Sequence, residues 1–258
     1  MPMYTHPPFS CHPREIMIAM HRIATALALT ATCLSASAVS VLAQTPQGSY
    51  TTNVLGGSAW DTFTATLTAQ HALTRTADFS SLSQLQSYAA VWVDQELGNS
   101  LDAAEISALQ SYIGSGHKAV LIGENYAWSA WNPSIMSVVG GSYVGDCSWA
   151  FGTPSVAHAL TAGITSVQSA CGSTIGAAGA PQVLFSNGMA ALYKVGSGEA
   201  LVILDSNWND DVYSTVDNPV FAQNVVDWLG APVPEPETYA LMLAGLALVG
   251  AVARRRAR

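Results

Sequence analysis

Two groups of side chains in this 258-residue sequence could do chemistry. The first is Glu124 with Tyr126, Trp128 and Trp131; the second is Asp205 with Asn207 and Trp208. Carboxylates and amides beside aromatic rings suit a sugar, whose C–H faces stack on the ring while its hydroxyls bond the polar groups. A pair of carboxylates, Glu124 and Asp205, is also the minimum apparatus of a hydrolase that moves protons between two acids. The alternation Asp205-x-Asn207-x-Asn209-x-Asp211 puts oxygen ligands at every second position, as calcium loops do. It is not an EF-hand, because Asp210 stands where that loop needs glycine and Val216 where it needs a bidentate Glu. A polar turn whose Asx side chains bond their own backbone explains the same residues. No phosphate loop, Gly-x-Ser-x-Gly elbow or paired metal-ligand histidines occur, so no cofactor is expected and a non-catalytic reading is favoured over the hydrolase.

These groups belong at the ends of strands. The near-continuous apolar runs 88–93 and 118–123 fit strands buried on both faces, as in parallel sheets. Between them 101–113 has helical periodicity, with Ser100 as the expected N-cap and Gly114-Ser115-Gly116 as the stop. That is a βαβ unit with a right-handed crossover. Upstream, 52–55 reads as a first strand ending in Gly56-Gly57, followed by a helix from Trp60 and an extended segment reaching Thr76. A short helix begins at Ser80. Residues 124–182 read as an irregular excursion, 190–195 and 200–205 as a hairpin giving an antiparallel edge, and 218–229 as a last helix with Asn218 as N-cap and Pro219 at its first position. If ligand binds, it binds where Glu124 and Asp205 leave their strands, since open α/β sheets bind at strand carboxyl ends.

Both ends of the chain carry an apolar run flanked by basic residues. Val233-Pro234-Glu235-Pro236-Glu237 is followed by an apolar run, 238–253, and by Arg254, Arg255, Arg256 and Arg258. Sixteen helical residues reach about 24 Å, enough to cross a thin bilayer as a transmembrane helix with its arginines snorkelling. The basic tail, 254–258, favours the cytoplasmic side and places Pro234, Glu235 and Pro236 near the opposite face, extended by the two prolines. At the other end, Arg22 precedes the apolar stretch 23–34, and Val41-Leu42-Ala43 reads as a signal-peptidase site before Gln44. The layout is therefore an N-terminal extension and signal peptide at 1–43, a globular domain at 44–231 and a sorting segment at 232–258.

Within 44–231 fourteen acidic side chains face three basic ones, Arg75, Lys118 and Lys194. Such a surface repels nucleic acid and anionic membranes. Cys147 and Cys171 are the two cysteines expected to survive export into an oxidising compartment, and they are expected to form a disulfide.

The order Pro-Glu-Pro, apolar segment, arginine cluster resembles the PEP-CTERM signal of Gram-negative bacteria. That resemblance implies processing by an exosortase after signal peptidase, a transient inner-membrane anchor, and a final place at the cell surface or outside it, with exopolysaccharide or protein as ligand. The domain resembles the class I glutamine-amidotransferase-like fold, a three-layer flavodoxin-like α/β sandwich with a mostly parallel sheet. The residues carrying this are 88–93, the helix leading to Gly114-Ser115-Gly116-His117 and 118–123, the segment 158–164, Leu204-Asp205-Ser206-Asn207, and 218–229. The enzymes of that fold place a nucleophilic cysteine after the strand ending at Gly123; here Glu124, Asn125 and Tyr126 follow it.

Overall fold

The computed structural model describes residues 37–48, 50–212 and 215–233, with 245, 246, 249, 250 and 254. The chain divides into two units, Met1–Ser35 and Ala36–Arg258, and the first lies outside the described residues.

The second unit is built on a seven-stranded sheet: β1 (Ser40–Gln44), β2 (Ala72–Thr76), β3 (Ala90–Val93), β4 (Lys118–Ile122), β7 (Gln182–Val183), β8 (Ala190–Val195) and β9 (Gly198–Ile203). Its spatial order is β2-β1-β3-β4-β9-β8-β7. The first five pair in parallel and the last two are antiparallel. This is the flavodoxin-like order, 2-1-3-4 with a fifth parallel strand beside the fourth. Alternate residues feed two cores. Val41, Ala43, Trp92, Val120, Ile122 and Ile203 pack with helices α1 (Asp61–Gln70) and α5 (Asn218–Gly230). On the other face Leu42, Val91, Val93, Leu121 and Val202 pack with α2 (Leu82–Leu85), α3 (Ala103–Gly114) and α4 (Trp131–Val138). Both faces being covered is why β1, β3, β4 and β9 read as unbroken apolar runs.

Several boundaries differ from the sequence reading, each for a local reason. The first strand is Ser40–Gln44, with Val41, Leu42 and Ala43 all 0 % exposed, while 52–55 forms turns. Small apolar residues serve equally as the end of a signal peptide and as a strand buried on both faces, so that run was ambiguous. Helix α3 is capped by Asp102, not Ser100. Its side chain accepts from the Ala104 and Glu105 amides, and Glu105 returns a bond to the Asp102 amide in a capping box. The N-cap of α5 is Asp217; Asn218 lies inside the first turn, where its side chain bonds Gln168 and the Trp208 carbonyl. The hairpin is present, but β9 is an interior strand and the antiparallel edge is β8 with β7.

The stretch 124–182 is not irregular. It holds α4 and a long antiparallel hairpin, β5 (Tyr143–Gly152) with β6 (Val167–Ile175), cross-linked by the Cys147–Cys171 disulfide. Its register shifts near Ser148, which hides the strand period from a sequence reading. Among the described residues no helix is long and apolar enough to cross a membrane; the run 238–253 lies largely outside them.

Candidate functional site

Each parallel strand from β3 to β9 delivers a buried acid at its carboxyl end. Asp94 follows β3, Glu124 follows β4 after Gly123, and Asp205 follows β9 after Leu204; they are 1 %, 1 % and 0 % exposed. Taking a carboxylate out of water is costly unless donors replace the solvent, and each has them.

Asp94 accepts from the Trp92 indole N–H at 2.7 Å and from the Leu55 amide at 3.3 Å, and lies 3.9 Å from the Arg75 guanidinium. Burial outweighs these partners and pushes its carboxyl up to about 7. Arg75 also donates to the carbonyls of Gln44 (2.6 Å) and Leu55 (2.7 Å), tying β2 to β1 and to the turn that follows. Beside it Glu96 accepts from the side chains of Gln44 and Asn99.

Glu124 is enclosed on both oxygens. Oε1 accepts from the Asn125 amide (3.0 Å) and side chain (3.2 Å), and Oε2 from the Ser206 amide (2.7 Å) and hydroxyl. Asn132 of α4 holds its backbone, accepting from the Glu124 N–H and donating to its carbonyl. Burial, and then the nearby charge of Asp205, raise its pKa. Asp205 in turn accepts from the Ala170 amide at 2.6 Å and the Asn207 amide at 2.9 Å, and burial raises it as well.

The β5–β6 hairpin lies over these two acids. Besides the Ala170 bond, the Ser173 amide donates to the Leu204 carbonyl at 2.8 Å and the Tyr126 amide to the Asp146 carbonyl at 3.0 Å. Gly172 lets β6 come this close: a Cβ there would sit 2.5 Å from the Asp205 Cβ and 2.6 Å from the Leu204 carbonyl oxygen. A raised carboxyl facing an open cleft would be a general acid. These carboxyls instead accept backbone and side-chain donors beneath a hairpin, where Glu124 joins the end of β4 to the turn after β9 and Asp205 joins that turn to β6.

The tryptophans expected to stack a ligand are core residues, which corrects that part of the sequence reading. Trp128 (6 % exposed) donates to Gln95 Oε1 at 2.6 Å, and Trp131 (1 %) to the Ile122 carbonyl at 2.8 Å. Trp208 (0 %) packs among Trp60, Phe63 and Phe221. Of the named rings, Tyr126 is the exposed one, at 64 %. The calcium alternation does not converge either. Ser206–Asn209 is a single 3-10 turn capped by Asp205; Asp205 points to Ala170, while Asp211 accepts from the Thr62 amide at the start of α1. Among the described residues no three His, Cys, Asp or Glu side chains are grouped to hold a metal. Glu124 follows β4, and Asp205 and Asn207 follow β9, its parallel neighbour.

Sequence reasoning missed the exposed aromatics of the hairpin. Trp149 and Phe151 are 59 % and 65 % exposed and stand two apart on β5, on one face of the strand. Their spacing was a signal that the surrounding Gly and Ser concealed.

Residues 232–256 match the PEP-CTERM protein-sorting motif. The chain carries a PEP-CTERM sorting signal. That signal supports an exported protein processed by an exosortase. Pro234, Glu235, Pro236, Arg255, Arg256 and Arg258 lie outside the described residues, and Arg254 is helical and exposed. No curated protein matches the chain in sequence. Among solved structures, the mmIFT52 N-terminal domain aligns at a TM-score of 0.58 with 15 % identity over 74 % of this chain and 96 % of its own. A ThuA-like protein of Bacteroides uniformis aligns at 0.53, 15 % identical over 75 % and 92 %. A cytoplasmic protein of Salmonella typhimurium aligns at 0.51, 11 % identical over 75 % and 99 %. At these identities the likeness is one of fold. It supports a glutamine-amidotransferase-like fold.

Proposed function

We propose that this PEP-CTERM protein is a non-catalytic binding module of the cell surface or extracellular matrix. Its ligand face is the outer side of the β5–β6 hairpin with Tyr126, and its ligand is exopolysaccharide. The observation that carries the reading is the closure of the strand ends. Where an open sheet of this order takes its ligand, Asp205 holds the hairpin down through the Ala170 amide, and Glu124 is closed off by Ser206 and Asn125. Exposed aromatic surface lies on that hairpin instead, in Trp149 and Phe151, and in Tyr126, whose amide bonds the hairpin's Asp146 carbonyl. Partly exposed rings stack on sugars, and an acidic domain that repels nucleic acid and anionic lipid is compatible with a neutral glycan. The alternative, a hydrolase using Glu124 and Asp205, would need the hairpin to lift from both acids.

Glycan-array binding and retention on exopolysaccharide from the native host test the proposal. Trp149→Ala and Phe151→Ala should each weaken binding about fivefold or more, roughly 1 kcal/mol, with little change in stability. Retention unchanged in both variants would remove the hairpin as the binding face. Glycan hydrolysis by the wild type that is lost in Glu124→Gln would replace the proposal with the hydrolase.

A further inference from the structure

The place where the exported chain begins is set by β1. A cut before Gln44 would delete Ser40–Ala43 from the strand that lies between β2 and β3. It would remove the parallel partners of Ala72, Leu73, Thr74 and Arg75 and the fully buried side chains of Val41, Leu42 and Ala43. Loss of an interior strand leaves two new edges and two opened cores. The processed bond must therefore lie upstream of Ser40 and downstream of the apolar stretch 23–34.

We infer that signal peptidase hydrolyses the Ala38–Val39 peptide bond. Water adds across it, leaving a carboxylate on Ala38 and an α-ammonium group on Val39. Three observations meet at this bond. Ala36-Ser37-Ala38 has the small residues at the third and first positions before a cut that signal peptidase selects. Ser37 and Ala38 are exposed and lie in no regular element, immediately before the strand. The new terminus already has a seat. The Val39 amide nitrogen lies 3.4 Å from His71 Nδ1, and the Val39 carbonyl accepts from the Ala72 amide at 3.0 Å. His71 is buried, and its Nε2 faces the Val226 carbonyl at 2.8 Å. A carbonyl demands a proton on Nε2, which leaves Nδ1 as an acceptor for the N–H of Val39, before the cut and after it. Cleavage thus keeps every β1 contact and gives up the bonds from Ser37 to the Gly230 carbonyl, 3.3 Å from its amide.

Those same Ser37 contacts place the start of the folded unit against the end of α5. There Lys118 donates to the Trp228 and Ala231 carbonyls, with its ammonium 4.6 Å from the Trp228 ring centre, and so anchors the exit toward 232–256. The chain enters and leaves the domain at one place, at the amino ends of the strands and opposite Glu124 and Asp205.

The inference rests on the export reading, and fractionation separates the two. The full chain is produced in a Gram-negative host, its envelope and cytosol are separated, and the product is examined by N-terminal sequencing and intact mass. A wild-type envelope species beginning at Val39, lost in Ala38→Gln in favour of the uncleaved precursor, is the expected result. An exported species beginning anywhere from Ser40 to Gln44 or upstream of Val39, or an Ala38→Gln product identical to the wild type, overturns the cut while leaving export intact. An uncleaved wild-type chain confined to the cytosol overturns both. Ala38 is exposed, so its substitution leaves the cores untouched.

Discussion

A single buried carboxyl, Asp94, carries a measurable pH signature. Its folded-state pKa is raised to about 7 by burial, whereas an unfolded Asp titrates near 3.9. Between those values the folded chain holds a proton that the unfolded chain has released. The stabilisation is therefore complete below about pH 4 and is lost as pH rises through 7. Glu124 and Asp205 are shifted in the same direction by burial and act in the same sense. Chemical denaturation should accordingly find the domain less stable at pH 8 than at pH 5, by at least about 1 kcal/mol. Asp94→Asn, neutral throughout, should reduce that difference, leaving the share of Glu124 and Asp205; a stability that rises toward pH 8 would contradict the buried, protonated carboxyls. At the same scale Trp208→Ala should cost about 3 to 5 kcal/mol, because it opens a cavity among Trp60, Phe63 and Phe221. A thermal or urea melt decides this, and a change under 1 kcal/mol would return Trp208 to the list of ligand-facing residues. Asp94 was in view in the sequence only as the residue after a strand. Its partners Leu55 and Arg75 come from a turn and from another strand, and nothing local to Asp94 announces them.

Among the elements, the β5–β6 hairpin decides most. It seals the acids through Ala170 and Ser173, and its own stiffness comes from the Cys147–Cys171 bond, a link across 24 positions. Closing a loop of that size restricts the unfolded chain by about 3 kcal/mol. The double variant Cys147→Ala with Cys171→Ala should therefore lower the unfolding free energy by about 2 to 4 kcal/mol, read from urea transitions of the oxidised wild type and the variant. No change would mean that the hairpin is held by its ladder and by its bonds to Asp205, Leu204 and Tyr126. The pairing was legible because export leaves these two cysteines in an oxidising compartment. The hairpin was not, because a register shift, glycines and serines break the two-residue period by which strands are recognised.

For the molecule as a whole, the last described element of the domain, α5, ends just before the sorting signal begins. Helix α5 ends at Gly230 and Lys118 holds the Ala231 carbonyl, so among the described residues both cores are built upstream of Pro234–Pro236. Native protein from a host with its exosortase should lack Arg258 by intact mass, and should keep it when the exosortase gene is deleted. Arg258 present in both would leave a permanent anchor. The carboxyl ends of the strands face away from this exit, which keeps the hairpin with Trp149 and Phe151 at the far side of the domain from the sorting segment's point of departure.

The sequence alone determined what short-range patterns can encode: the sorting signal, the βαβ unit around β3, α3 and β4, and the disulfide. Each depends on composition or on periods of a few residues, which survive in a single chain read end to end. Tertiary structure decided whether an apolar residue is wall or surface. Val41-Leu42-Ala43 became an interior strand because β2 and β3 flank it, and Trp128, Trp131 and Trp208 became core because helices and hairpin cover them. Burial is a property of neighbours distant in the chain, such as the 82 positions between Glu124 and Ser206, and no local pattern records them.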